Sequence, residues 1–159
     1  FMQCLHPLVI KNPNLFVNGD MRKTIEVPCG HCVACRIARS REWAVRLLHE
    51  SEFWDDFCFV TLTYDDEHLV SPSLVPRDLT LFFKKLRRDL GDRKIKYFAC
   101  GEYGDRFGRP HFHAIIFGLG TSDKKLIDEN WGKGHTKVGT LTYQSAPVKH
   151  PAIALRNKQ

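Results

Sequence analysis

The sequence predicts an α+β domain in which an antiparallel sheet carries its helices on one face. Between residues 57 and 143, short runs rich in β-branched and aromatic residues alternate with two amphipathic helical segments. Their order is β-α-β-β-α-β, which is the ferredoxin-like pattern. The chain has 159 residues, of which 43% are hydrophobic and 26% charged, as expected for one soluble globular domain.

The region before this core predicts an arm followed by a helix. Residues 1–28 show little periodicity and contain three prolines, which is typical of an extended arm. From residue 33 to residue 50 the apolar positions share one helical stripe and arginines are interspersed, which predicts a basic amphipathic helix. We therefore divide the chain into an N-terminal region (1–56), the core (57–143) and a tail without strong pattern (144–159).

The first half of the core contains one strand and one long helix. The run "FCFVTLTY" at 57–64 predicts a strand. The segment "PRDLTLFFKKLRRDL" at 76–90 places its apolar residues on one helical face, which predicts a helix packed on the sheet. The opposite face of this helix carries four basic residues: Lys84, Lys85, Arg87 and Arg88.

The second half predicts a hairpin, a short helix and a last strand. The strands at 95–102 and 110–118 are joined by the glycine-rich turn "GDRFGRP", so hairpin logic makes them antiparallel neighbours. Ser122 resembles an N-cap and opens a helix at 122–131. The run "TKVGTLTY" at 136–143 predicts the fourth strand.

Two histidines on the hairpin suggest a metal site. His111 and His113 are two residues apart on a strand, so their side chains point to the same side. If Glu102 pairs opposite His111, then Cys100 faces His113 and the carboxylate joins both imidazoles. Such a set binds a divalent cation and leaves positions open for water and a phosphate oxygen. The alternative is that the two histidines are unrelated strand residues, one of them hydrogen-bonded in the core.

A second cluster of metal-binding side chains lies at the start of the basic helix. Cys29, Cys32 and Cys35 form the run "CGHCVAC", and either Cys4 or His31 would complete a tetrahedral structural Zn²⁺ site. Free thiols packed near the helix start are an equal alternative, and an iron–sulfur cluster is a weaker one.

The charge of the chain suggests a polyanionic partner and its hydrophobic pattern argues against membranes. The formal net charge is +6 and the sequence pI is about 9.1. No apolar stretch approaches the ~20 residues of a membrane helix, and the N-terminus does not resemble a secretory signal. We expect a cytoplasmic protein without a membrane partner.

The order of the motifs resembles a known phage family. The motifs "FVTLTYDDEH", "DLTLFFKKLRR", "IKYFACGEYG", "RPHFHAIIFG" and "WGKG" follow one another as in the replication initiators of gokushovirus-type Microviridae, and "VPCGHCVACRIARSREWAVRLLHE" is similar to their N-terminal signature. The resemblance covers most of residues 2–145. These initiators are HUH endonucleases, named for a histidine-hydrophobic-histidine motif that residues 111–113 match.

The resemblance implies rolling-circle replication initiation on an HUH nuclease-like core. In such proteins a tyrosine attacks the scissile phosphodiester of single-stranded DNA at a replication origin and remains joined to the 5′ phosphate. Glu102, His111 and His113 match the metal-binding residues, and Mg²⁺ or Mn²⁺ is the implied ion. The host replication machinery is a further implied partner, and the bacterial host cytoplasm is the implied location.

The implied tyrosine is the point at which the chain departs from the family pattern. The family carries it on a helix after the sheet, whereas Tyr143 stands at the end of the last predicted strand and is followed by Pro147 and Pro151. Tyr143 is nevertheless the candidate nucleophile. A truncated or degenerate copy that binds DNA and metal without cleaving is the alternative, and a 2-His-1-carboxylate metal oxygenase is a second alternative from another class.

Basic residues beside the metal ligands are the candidates for DNA contacts. Arg106 and Arg109 lie in the loop between Glu102 and His111, so they must flank any bound phosphate. We expect Arg109→Ala to weaken DNA binding at all sequences and to lower its salt dependence. The four basic residues of the 76–90 helix are further candidates, and exposed aromatics such as Tyr103 and Phe107 are expected to stack on bases.

Overall fold

The computed structural model describes residues 3–12 and 23–140, together with the backbone of 153–155. The chain divides into two compact units, Phe1–His49 and Glu50–Gln159. In the first unit, strands β1 (Leu8–Lys11) and β2 (Thr24–Val27) pair antiparallel, and helix α1 (Val33–Ser51) follows and ends at the start of the second unit. The sequence predicted α1 but no strands in the arm, because four-residue strands carry too short an alternation to be recognised.

The second unit contains the ferredoxin-like core that the sequence predicted. Its elements are β3 (Phe57–Thr63), α2 (Pro76–Leu90), β4 (Lys96–Tyr103), β5 (Pro110–Phe117), α3 (Lys124–Trp131), β6 (Thr136–Gly139) and β7 (Ile153–Leu155). The sheet has the order β6-β3-β5-β4-β7, and all paired strands run antiparallel. The first four strands of this order reproduce the split β-α-β arrangement expected from the sequence.

Three boundaries differ from the prediction. A 3-10 turn at Thr121–Asp123 precedes α3, so the helix begins two residues later than expected. Strand β6 ends at Gly139, and residues 141–143 of the predicted strand lie outside the described residues. The tail, to which no element was assigned, contributes β7 as an edge strand on β4.

The hydrophobic core lies between one face of the sheet and the helices α2 and α3. Alternate residues of each strand point into it, and in β5 these are Phe112, Ala114 and Ile116. The apolar face of α2 (Leu79, Phe82, Phe83 and Leu86) and the α3 residues Ile127 and Trp131 cover them. Strand periodicity therefore directs the intervening residues of β3, β4 and β5 to the opposite side, which we call the ligand face.

Within the described part of the chain, none of the helices combines the length and hydrophobicity that a bilayer span requires.

Candidate metal centre

Two neighbouring strands bring a carboxylate and two imidazoles together on the ligand face. In the register of β4 and β5, Glu102 is opposite His111 and Cys100 is opposite His113. This is the register that the sequence required for the three side chains to meet. A shift of one residue would have sent Glu102 into the hydrophobic core.

The three side chains are close enough to share one ion. Glu102 Oε2 lies 3.2 Å from His113 Nε2 and 3.9 Å from His111 Nε2. One ligand atom from each residue lies within 4.8 Å of the other two. The two imidazole rings are nearly perpendicular, with centroids 4.8 Å apart. The side chains are 17% to 32% exposed, so the site is accessible from solvent.

The second nitrogen of each imidazole is held by a fixed partner. His111 Nδ1 lies 3.2 Å from the Arg109 carbonyl oxygen, which only accepts hydrogen bonds, so this nitrogen donates and Nε2 keeps its lone pair. His113 Nδ1 lies 3.1 Å from Thr61 Oγ1, and the ring stacks on Phe59 with centroids 5.3 Å apart. Such outer contacts orient metal-binding histidines. Sequence reasoning named neither Thr61 nor Phe59 as part of the site.

The electrostatics of the site favour neutral nitrogen ligands. Burial and the neighbouring His111 lower the pKa of His113, and the Glu102 carboxylate opposes this shift. A neutral imidazole is the form that binds metals. Burial, together with the charge of Glu102, raises the pKa of Cys100 to about 11, so this thiol stays protonated beside the three ligands.

An open cleft of about 490 Å³ adjoins His111. Its walls come from the end of β3 and the β4–β5 turn, and they include Arg106, Phe107 and Arg109. Arg109 donates to Asp66 Oδ1 at 2.7 Å and to the Tyr64 carbonyl at 3.0 Å, so its guanidinium is held at the cleft wall. Phe107 is 82% exposed there. Two of the predicted DNA-binding arginines therefore lie next to the candidate metal centre.

The four basic residues of α2 do not lie near this cleft. The apolar face of α2 packs on the core side of the sheet, whereas the candidate metal centre is on the ligand face. Lys84, Lys85, Arg87 and Arg88 are exposed on the outer surface of α2. Arg87 lies over the Tyr97 ring and Arg88 pairs with Asp89. The structure thus separates these two groups of predicted DNA contacts.

The remaining predicted site residues fall in two places. Cys4, Cys29, Cys32 and Cys35 form a second cluster whose sulfur atoms all lie within 4.8 Å of one another. His31, the other candidate for the fourth position, is exposed and not part of this group. Tyr143, the candidate nucleophile, lies outside the described residues.

Comparisons with known proteins point to phage replication proteins. A family model for replication-associated proteins of the ORF2 type matches residues 57–150. The chain is 39% identical to replication-associated protein VP4 of Bdellovibrio phage phiMH2K, in an alignment that covers 75% of this chain and 45% of that protein. It is 36% identical to replication-associated protein ORF2 of Spiroplasma virus 4, with 91% and 58% covered.

A third relative is replication-associated protein ORF4 of Chlamydia phage 1, at 35% identity, with 77% of this chain and 31% of that protein covered. The chain thus spans between about a third and three fifths of the length of these relatives. No solved structure matches the chain.

Proposed function

Since the chain belongs to the ORF2-type family of replication-associated proteins, we propose that it nicks and rejoins single-stranded DNA at the start of phage rolling-circle replication. The observation that carries this proposal is the convergence of Glu102, His111 and His113 beside the arginine-lined cleft. A phosphodiester in this cleft would meet cationic side chains and metal ligands together. The relatives are named as replication-associated proteins of phages, and that role is proposed here for this chain.

The ligand set fits a divalent cation. It contains two imidazole nitrogens and one carboxylate oxygen, and the free Nε2 of His111 is defined by the contact of its other nitrogen. Three protein ligands leave coordination positions for water and a phosphate oxygen. Mg²⁺ or Mn²⁺, bound by Glu102, His111 and His113, would neutralise the negative charge that builds up on the phosphate during transfer.

Tyr143 is the proposed nucleophile because the other three tyrosines are unsuited to the role. Tyr64 is buried and donates to Asp78 Oδ2 at 2.9 Å, and burial raises its pKa. Tyr97 stacks on Phe83 within the core. Tyr103 follows Glu102 directly on β4, so its side chain points away from the ligand face, and its hydroxyl accepts a hydrogen bond from the Leu74 amide.

The proposed reaction conserves the energy of the phosphodiester bond. The Tyr143 oxygen loses its proton and bonds to phosphorus, while the bond between phosphorus and the 3′ oxygen breaks. The 3′ oxygen takes up a proton and can prime synthesis, and the DNA 5′ phosphate stays on the tyrosine. Attack of a 3′ hydroxyl on this intermediate reverses the transfer and joins the strand. Arg106 and Arg109 would hold the flanking phosphates in the cleft.

A covalent adduct tests the proposal. The chain is incubated with Mn²⁺ and 3′-end-labelled single-stranded oligonucleotides tiled across the genome that encodes it. Because the label lies on the fragment that keeps the 5′ phosphate, we expect a labelled protein–DNA adduct that survives denaturation. His113→Ala and Tyr143→Phe should abolish it, whereas His49→Ala, which removes an exposed histidine of α1, should not.

The outcomes separate nicking from its closest alternative. Tight binding of the oligonucleotides and of Mn²⁺ without any adduct would indicate a DNA-binding domain that does not cleave. An adduct that persists in Tyr143→Phe would assign the nucleophile to another residue. Single-stranded DNA that neither binds nor reacts would contradict the proposed function as a whole.

A further inference from the structure

The four cysteines of the first unit form a second metal site of a different chemical kind. Cys4 Sγ lies 3.6 Å from Cys29 Sγ and 3.8 Å from Cys32 Sγ, and Cys29 Sγ lies 4.0 Å from Cys35 Sγ. We propose that these four thiolates hold one structural Zn²⁺ ion that joins the N-terminal arm to the start of α1. This site is separate from the metal centre on which the proposed function depends.

The sulfur–sulfur distances match the edges of a zinc tetrahedron. With Zn–S bonds of about 2.3 Å, the ligands of a regular tetrahedral site lie about 3.8 Å apart. The three distances above fall on either side of this value. A disulfide would require a separation of about 2.05 Å, and all four cysteines are free. In an iron–sulfur cluster the cysteines bind different iron atoms and would lie farther apart.

Backbone groups around the sulfurs suit thiolates. The Cys29 amide donates to Cys4 Sγ at 3.3 Å, and the Cys32 amide donates to Cys29 Sγ at 3.4 Å. Hydrogen bonds of this kind stabilise the negative charge of metal-bound sulfur and fix its direction. Cys32 immediately precedes α1 and Cys35 lies in its first turn, where the helix dipole also favours negative charge.

The first unit needs such a cross-link because it has almost no hydrophobic core. Among its described residues, 3–12 and 23–49, Ala34 is the one hydrophobic residue that is buried. Larger side chains such as Leu8, Val9 and Val33 are 52% to 65% exposed. Small units with this little apolar burial are usually stabilised by disulfides or metals. Four sulfur ligands close the tetrahedron and leave no position for a substrate, so the role is structural.

The choice of Cys4 as the fourth ligand follows from the pairing of β1 and β2. Cys4 stands four residues before β1, and Cys29 stands two residues after β2. Because Leu8 is opposite Val27, the antiparallel pairing brings the chain before β1 close to the chain after β2. His31 lies within the cysteine run but is exposed, so the strand pairing decides between the two candidates.

Metal analysis of the intact chain tests this proposal. We expect one zinc per chain to remain after gel filtration in EDTA, and X-ray absorption at the zinc edge to show four sulfur neighbours at about 2.3 Å. Cys32→Ser should lose this zinc. Two controls should keep it: Cys58→Ala, which removes a buried thiol of β3, and His113→Ala, which damages the other metal centre.

The wild-type spectrum keeps the proposal testable even if Cys32→Ser does not fold. Nitrogen or oxygen neighbours at about 2.0–2.1 Å would place the zinc at an imidazole and carboxylate site and contradict the tetrathiolate. Bound iron, or folded protein without metal whose four thiols react freely, would also overturn it. Because His113→Ala keeps the tetrathiolate intact, a failure of the proposed nicking activity would not affect this result.

Discussion

At the scale of single residues, the two imidazoles of the candidate metal centre are held differently. His111 is fixed by a backbone carbonyl, which no substitution removes, whereas His113 is fixed by the hydroxyl of Thr61. Phe59 supports the His113 ring from one side but supplies no directional contact. The orientation of His113 therefore depends on one replaceable side chain.

We predict that Thr61→Val weakens metal binding without disturbing the fold. Valine has nearly the same shape and suits a strand, so β3 should remain intact. The lost contact at His113 Nδ1 frees the ring to rotate, and loss of such a partner lowers metal affinity by about 10-fold or more. Titration of Mn²⁺ followed by electron paramagnetic resonance measures the dissociation constant of each variant.

Thr63→Val is the matched control for this change. It removes a hydroxyl from the same strand and the same face, but Thr63 Oγ1 donates to the His135 carbonyl and not to an imidazole. Its Mn²⁺ affinity should stay close to that of the wild type. Equal losses in the two variants would show that the Thr61 hydroxyl has no special role at His113.

The three metal ligands could be predicted from the sequence, whereas their supporting contacts could not. The His-x-His spacing and the hairpin fix which side chains share a face, and this needs only strand periodicity and one register. Thr61 lies 52 residues from His113 along the chain, and its contact depends on β3 pairing with β5. A threonine in a strand is too common for its sequence to reveal such a role.

At the scale of elements, the turns around β5 determine where its histidines lie. The end of β5 is fixed by Gly118, whose amide donates to the Asp56 carbonyl at 2.8 Å just before β3. Gly118 has φ +88°, and an added Cβ would lie 2.6 Å from the Lys94 carbonyl oxygen. This position requires glycine both for its backbone conformation and for the close approach of the neighbouring chain.

We predict that Gly118→Ala strongly destabilises the second unit. The methyl group would also lie 2.8 Å from the Trp54 ring, so both backbone strain and overpacking oppose it. Together these effects should lower the free energy of unfolding by about 3 kcal/mol. Urea denaturation monitored by tryptophan fluorescence measures the loss.

Gly139→Ala provides the comparison for this prediction. It lies at the end of β6, and an added Cβ would meet nothing within 4 Å. Its stability should stay within about 0.5 kcal/mol of the wild type. A Gly118→Ala variant as stable as Gly139→Ala would show that the turn after β5 adapts to a side chain.

Sequence reasoning located the long elements better than the short ones. Helix α2 was recognised because Leu79, Phe82, Phe83 and Leu86 repeat at helical spacing over its length. Strands β1 and β7 have four and three residues, which is too few for a periodic pattern to stand out. They form because a partner strand offers its edge, and this information lies elsewhere in the chain.

At the scale of the whole molecule, charge alone does not identify the DNA-binding surface. The net charge of +6 is shared among surfaces that the fold separates. In the second unit, Arg106 and Arg109 line the cleft beside His111, while the cations of α2 lie on the other side of the sheet. The sequence predicted both groups as candidates, because a helical face can be recognised in one dimension but its distance from the cleft cannot.

This separation predicts different salt dependences for two single charge removals. If single-stranded DNA lies in the cleft, Arg106→Ala removes a phosphate contact and should reduce the slope of log affinity against log salt by about 0.7. Lys85→Ala removes the same formal charge from the outer face of α2, so its slope should equal that of the wild type. Arg109→Ala should resemble Arg106→Ala, with an added effect because Asp66 loses its ion-pair partner. Fluorescence anisotropy with a labelled oligonucleotide at several salt concentrations measures the slopes, and a larger change in Lys85→Ala than in Arg106→Ala would move the DNA from the cleft to the helical side of the sheet.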